Sequence, residues 1–241
     1  MRILTRFISA SLPLLVALPL AAQAPAAAPA GAAPPNAKPD HLTAIKTSLK
    51  TSMAALRHYQ WVETTVVSMK GEVKATTQNQ CYYGADGALQ KTPVGPPPEE
   101  KKSRGLRGKI AADKKEELSA TVKEAVALVK QYVPPNPEKI QAAKTAGNLS
   151  VSPPDPAGNV QIAIKNYLKS GDLLTISANA GTDTITGMSV STFADNAKDV
   201  VALKVNFAAF PDGTIYPAKI VLDIKSEELN IGIDNSGYKK M

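Results

Sequence analysis

The stretch from Val200 to Gly237, VVALKVNFAAFPDGTIYPAKIVLDIKSEELNIGIDNSG, decides the fold. Val201, Leu203, Val205, Phe207 and Ala209 share one face of a period-two pattern, as do Tyr216, Ala218, Ile220, Leu222 and Ile224, and then Leu229, Ile231 and Ile233. Period two is the repeat of a β-strand, whose successive side chains point to opposite faces. The opposite faces carry Lys204, Asn206, Lys219, Asp223, Asn230 and Asp234. One side of this sheet is therefore wetted and the other buried, the signature of an antiparallel rather than a parallel sheet.

Working outward, turn residues divide 148–237 into seven strands, at 148–153, 160–168, 173–179, 184–193, 200–209, 214–224 and 227–237. Upstream, Leu42, Ile45, Leu49, Met53 and Leu56 recur at helical spacing behind an N-cap at Asp40. From Gln60 the period returns to two, with Trp61, Glu63, Thr65, Val67 and Met69 on one face. Lys70-Gly71-Glu72 and Gly84-Ala85-Asp86-Gly87 then turn the chain through two further strands, ending at Gly95-Pro96-Pro97-Pro98. A helical pair is expected at 113–147. Asp113 and Glu116 form its capping pair, Leu118, Val122, Val126, Val129 and Val133 its stripe, and Asn136-Pro137 the start of its second helix. A flexible charged connector, 95–112, leads into it.

About ten antiparallel strands with a single apolar face cannot stay flat, because strand twist makes large sheets coil, close or split. Curling around the apolar face leaves the amphipathic helices as the only cover for the concave side. The expected fold is α+β and mainly antiparallel β: a strongly curved open half-barrel covered by an N-terminal helix and an inserted helical pair. A bulge would reverse the inferred inward face, and Gly187 and Pro217 are the expected places for one.

The 241 residues, 44% hydrophobic and 20% charged, suit one soluble core rather than a disordered chain. Residues 1–24 read as a secretory signal, with Arg2 and Arg6 before the apolar run Phe7 to Leu20 and Ala22-Gln23-Ala24 as the small-residue exit. Pro13 and Pro19 interrupt that run, which is shorter than the ~20 residues a membrane-spanning helix needs. Residues 25–39, almost all Ala and Pro, are expected as a disordered tether, and 40–241 as a single domain. Loss of Arg2 and Arg6 lowers the formal charge from +7 to +5. That mild charge, 5% aromatics and an exported location argue against nucleic acid as a partner. The single cysteine, Cys81, allows no internal disulfide and reads as a small packed side chain.

In this order the elements resemble a known family. A signal peptide, an amphipathic helix, the strand phrase Tyr59-Gln60-Trp61-Val62-Glu63-Thr64-Thr65, hairpins with short polar turns, an inserted helical pair and a meander ending Asn235-Ser236-Gly237-Tyr238 are similar to the periplasmic outer-membrane lipoprotein carriers and their half-barrel relatives. The resemblance covers most of 40–241 and implies an unclosed barrel whose apolar lining holds acyl chains beneath helices. The Ala/Pro tether and the charged connector after Val94 depart from that pattern, and no functional residue carries over.

No catalytic signature is present. His41 and His58 are the only histidines, and there is no G-x-S-x-G or H-E-x-x-H motif. No cluster has zinc-like spacing, so neither metal nor cofactor is expected. The candidate ligand-lining residues are Trp61, Val205, Phe207, Ile220, Leu222 and Ile231, with lid contacts from Leu118, Val122 and Val126. The same alternation serves a dry core equally well, so an apolar carrier and a cell-envelope interaction module with an ordinary core both remain open. Lys101, Lys102, Arg104, Arg107 and Lys109 form the densest basic run. They read either as a solvated loop or as a contact for an anionic membrane surface or an acidic partner.

Overall fold

The computed structural model describes residues 41–95 and 106–241. The expected signal segment, the tether, Asp40, Lys101, Lys102 and Arg104 lie outside the described residues. The chain runs α1 (His41–Ala55), a short 3-10 turn (Leu56–His58), β1 (Tyr59–Met69), β2 (Glu72–Tyr83), β3 (Leu89–Pro93), α2 (Leu106–Val129) and α3 (Pro137–Thr145). There follow β4 (Leu149–Val151), β5 (Asn159–Lys165), β6 (Leu173–Asn179), β7 (Thr184–Phe193), β8 (Val200–Ala209), β9 (Ile215–Ile224) and β10 (Leu229–Lys240).

All ten strands form one antiparallel sheet, in the order β3-β2-β1-β10-β9-β8-β7-β6-β5-β4. The sheet is not closed, because β3 and β4 stand at its two edges, and with three helices it is the expected open half-barrel of the α+β class. An internal seam joins the first described strand to the last, Tyr59 opposite Lys240 and Met69 opposite Leu229. Local chemistry sets the turns. Between β1 and β2, Lys70 (φ 54°) and Gly71 (φ 74°) are both left-handed, as the two-residue turn that matches strand twist requires.

The helices α2 and α3 are inserted between β3 and β4, so the chain that carries them passes from one sheet edge to the other. The helix α2 begins at Leu106, well before the expected cap at Asp113. Arg107 and Lys109 therefore lie in its first turns rather than in a loop. Leu, Arg, Lys and Ala dominate 106–112 and favour helix strongly enough to carry the single Gly108. The start of α3 is as the residues suggest, with the Asn136 side chain accepting from the backbone N–H of Glu138 at 2.7 Å.

One apolar core lies between sheet and helices. It takes Ile45 from α1, Ala125, Val126 and Val129 from α2, and inward residues of most strands. Two buried polar ties seat the helices. The backbone N–H of Ile215 donates to Ser52 Oγ of α1 at 2.9 Å. Beyond the end of α2, Tyr132 Oη lies 2.6 Å from Asp172 Oδ2 and 2.8 Å from Thr192 Oγ1. The same carboxylate accepts from the backbone N–H groups of Tyr167, Leu168 and Lys169, so it organises the β5–β6 turn and holds the helix at once.

Bulges fall where Gly187 and Pro217 suggested. Opposite Ser177 and Ala178 the register passes from Gly187 to Ile185, and opposite Asn206 and Phe207 it passes from Lys219 to Pro217, leaving Ala218 unpaired. The second bulge corrects the alternation read for β9. Below it Ile215, not Tyr216, joins the core, at 2% exposure.

Candidate functional site

The concave face changes character along β1. Its inward residues run Val67, Thr65, Glu63 and Trp61, flanked on β10 by Ile231, Ile233 and Asn235 and on β2 by Ala75, Thr77, Asn79 and Cys81. Three zones result.

The first zone is aliphatic and belongs to the main core. Val205 and Leu222 are 0% exposed, Ile220, Ile231 and Val126 are buried beside them, and Leu118, Val122 and Phe207 pack against the cluster from partly buried positions. The structure thus brings together every candidate lining residue except Trp61. Helices lie directly on these side chains. Reshaping the zone to hold an acyl chain means moving α1 or α2 away from the sheet.

The second zone is a polar belt. Lys91 of β3 reaches across β2 to place Nζ 2.7 Å from both carboxylate oxygens of Glu63, with side-chain exposures of 12% and 9%. Thr65 and Asn79 are buried alongside. Burying a carboxylate is costly without a close opposite charge, and Lys91 supplies one.

The third zone is aromatic. Trp61 stacks on Tyr238 at 5.6 Å between ring centroids and meets Tyr83 at 5.7 Å. The rings continue through Tyr238 to Tyr216 (4.5 Å), Tyr216 to Phe210 (4.4 Å) and Phe210 to Tyr59 (4.9 Å). Six of the chain's one Trp, seven Tyr and four Phe gather here. Two irregularities assemble them. The Ala218 bulge frees Tyr216 from the core, and two residues of β10, Gly237 (φ 61°) and Tyr238, oppose the single Trp61. Trp61 Nε1 donates to Asn235 Oδ1 at 3.1 Å, and Asn235 Nδ2 donates to the Pro217 carbonyl at 2.9 Å, which locks the bulge to the ring cluster. Trp61, Cys81 and Tyr83 form a small core of their own, separate from the aliphatic one.

Burial raises the Tyr83 and Tyr238 phenols well above their ordinary range. Burial, reinforced by the Glu63 carboxylate, pushes the Cys81 thiol up to about 12, so it is held as an unreactive thiol.

Glu63 was legible as a charged residue on an otherwise inward face. Its partner was not, because Lys91 reaches it only through the β2–β3 register, Cys81 opposite Lys91. Among the described residues no three His, Cys, Asp or Glu side chains gather to hold a metal ion, and no helix is long and apolar enough to cross a membrane.

Fold and site together define an open antiparallel half-barrel, roofed by helices, with an aliphatic core that grades into a polar and aromatic end. No protein-family model matches the chain, and no curated protein matches it by sequence. Among the solved structures similar to it in fold are two. One is a LolA superfamily protein from Nitrosomonas europaea, 11% identical, with a TM-score of 0.35 over 82% of this chain and 93% of that one. The other is a DUF1329 family protein from Desulfovibrio piger, 9% identical, with a TM-score of 0.32 over 81% and 92%. Both likenesses are remote, and the architecture rests on this chain's own register and burial.

Proposed function

We propose that this is an exported periplasmic binding or carrier protein for an apolar ligand, a lipid or acyl chain, and that it performs no chemistry. One observation carries the reading: a single curved sheet offers a large aliphatic zone on its concave face, covered among the described residues by helices. Such a cover can lift without breaking strand pairing, because side-chain packing and the Ser52 and Tyr132 ties, not ladder hydrogen bonds, hold it to the sheet. The pattern of residues 1–24 supports export. The basic run from Lys101 to Lys109 supports docking to an anionic membrane surface or an acidic partner, each charge contributing ~1 kcal/mol near such a surface.

The test is native mass spectrometry of the purified mature chain, organic extraction of what co-purifies, and displacement of a fluorescent fatty-acid probe. Bound lipid and saturable probe binding are expected, and both should vanish in the Val205→Trp, Leu222→Trp double variant. The complete burial of Val205 and Leu222 favours a second reading, an envelope interaction module with a filled core. Absence of both lipid and probe binding would establish it.

A further inference from the structure

Among the described residues, one buried side-chain nitrogen or oxygen has no hydrogen-bond partner: the hydroxyl of Tyr83. Its residue is 6% exposed, and it sits in the aromatic zone against Trp61. Buried polar groups in folded proteins are almost always satisfied, and a hydroxyl left unpaired destabilises the fold. Phenylalanine would fill the same space without that penalty, and the hydroxyl is left open to a partner from outside the chain.

The neighbouring groups restrict what that partner can be. Glu63 and Lys91 already neutralise one another at 2.7 Å. An anionic group entering here would attract Lys91 but repel Glu63, and a cationic one would do the reverse. Either sets a buried charge against an uncompensated like charge. A group of zero net charge, zwitterionic or merely hydroxylated, leaves the pair balanced and can accept from Tyr83. Arg57, exposed beside the Gly87 turn, is the charge that acts on the Tyr83 hydroxyl, and water screens it where it does not screen the buried Glu63–Lys91 pair.

Position completes the argument. From Val67 to Trp61 the inward face of β1 passes from aliphatic to polar to aromatic over about 20 Å, at ~3.3 Å per residue. That is the profile of an amphiphile, chain first and head second. We infer that the Trp61 end of the concave face is a headgroup subsite, in which Tyr83, Glu63 and Lys91 select amphiphiles whose head carries no net charge. This rests on the carrier reading and specifies which ligands the carrier takes.

Trp61 is the chain's only tryptophan, so its fluorescence reports this subsite alone. The mature full-length protein is titrated with a lysophosphatidylcholine, a monoacylglycerol and a fatty acid of one chain length. N-phenyl-1-naphthylamine, which is uncharged and has no lipid head, reads the aliphatic zone independently. The zwitterionic and uncharged lipids should shift Trp61 emission and bind about tenfold tighter than the fatty acid. Tyr83→Phe should weaken those two about fivefold while raising the melting temperature, a combination that a purely structural tyrosine does not produce. A Glu63→Leu variant that still binds the naphthylamine leaves Lys91 to meet the carboxylate and should lose discrimination against the fatty acid. If the naphthylamine and all three lipids bind, but equally and with Trp61 emission unmoved, the subsite is wrong and the carrier reading stands. If nothing binds, the carrier reading falls and takes the subsite with it.

Discussion

Lys91 Nζ lies 2.7 Å from both carboxylate oxygens of Glu63, although the two residues stand on strands that flank β2 rather than on neighbours. This ion pair interrupts an apolar face, and its energetics follow from its burial. Removing one member strands a charge that water reaches poorly, whereas removing both leaves an apolar patch. Glu63→Leu or Lys91→Met alone is expected to destabilise the fold by about 3–5 kcal/mol, and the pair together by far less. Urea unfolding of the four proteins in the cycle measures the coupling. Additive single effects would show that the pair is solvated.

The Ala218 bulge decides which of two adjacent residues faces the core. Plain alternation puts Tyr216 inward, but the structure buries Ile215 and hands Tyr216 to the ring cluster. Ile215→Ala should therefore cost about 2–5 kcal/mol. Tyr216→Ala should cost less, on the order of 0.5–1.5 kcal/mol for each aromatic pair that the ring makes. Chemical denaturation of both variants gives the order, and the reverse order would remove the bulge.

Tyr132 fastens the end of α2 to Asp172 and Thr192. Tyr132→Phe keeps the ring in place and removes only the hydroxyl, at about 1–3 kcal/mol because the carboxylate is deprived of a buried donor. Amide hydrogen exchange should accelerate in the last turns of α2 while β8 and β9 keep their protection. Uniform acceleration across the sheet would mean that this tie supports the whole core rather than the helix.

Alkaline pH should destabilise the protein before its phenols titrate. The Cys81 thiol moves from an ordinary 9.0 to about 12 in the fold, so between those values the native state holds a proton that the unfolded chain has released. Its stabilising contribution is present below pH 9 and is lost as pH rises toward 12, at about 1.4 kcal/mol per pH unit. Urea midpoints from pH 7 to 10 should fall in the parent above pH 9 and stay nearly flat in Cys81→Ala. The buried tyrosines, also raised, add the same sign at higher pH.

Much of the architecture was legible. The strands at 173–179, 184–193 and 200–209 coincide with β6, β7 and β8, because alternation of apolar and polar side chains is a local property that the backbone must obey. The bulges at Gly187 and Pro217 were legible too, since each residue weakens a ladder position, whereas the irregularity opposite Trp61 was not. The start of α2 was not, because the capping pair Asp113 and Glu116 looks like a helix start, yet the residues before it are themselves good helix formers.

The candidate site was legible only in its aliphatic part. Val205, Leu222 and Ile231 follow from period two, but Tyr83 and Lys91 do not, because their importance comes from what stands opposite them on other strands.

The amino-acid order alone determined the strands, the wet and dry faces of the sheet, and the need for curvature with a helical cover, all of which follow from periodicity and twist. Only the tertiary structure decided that β1 pairs with β10, that α2 and α3 are inserted between the two free edges, and that Glu63 meets Lys91 beneath a ring of aromatics. Alternation states which way a side chain points, but not which strand lies beside it, and partners distant in the chain meet only through the strand order of the finished sheet.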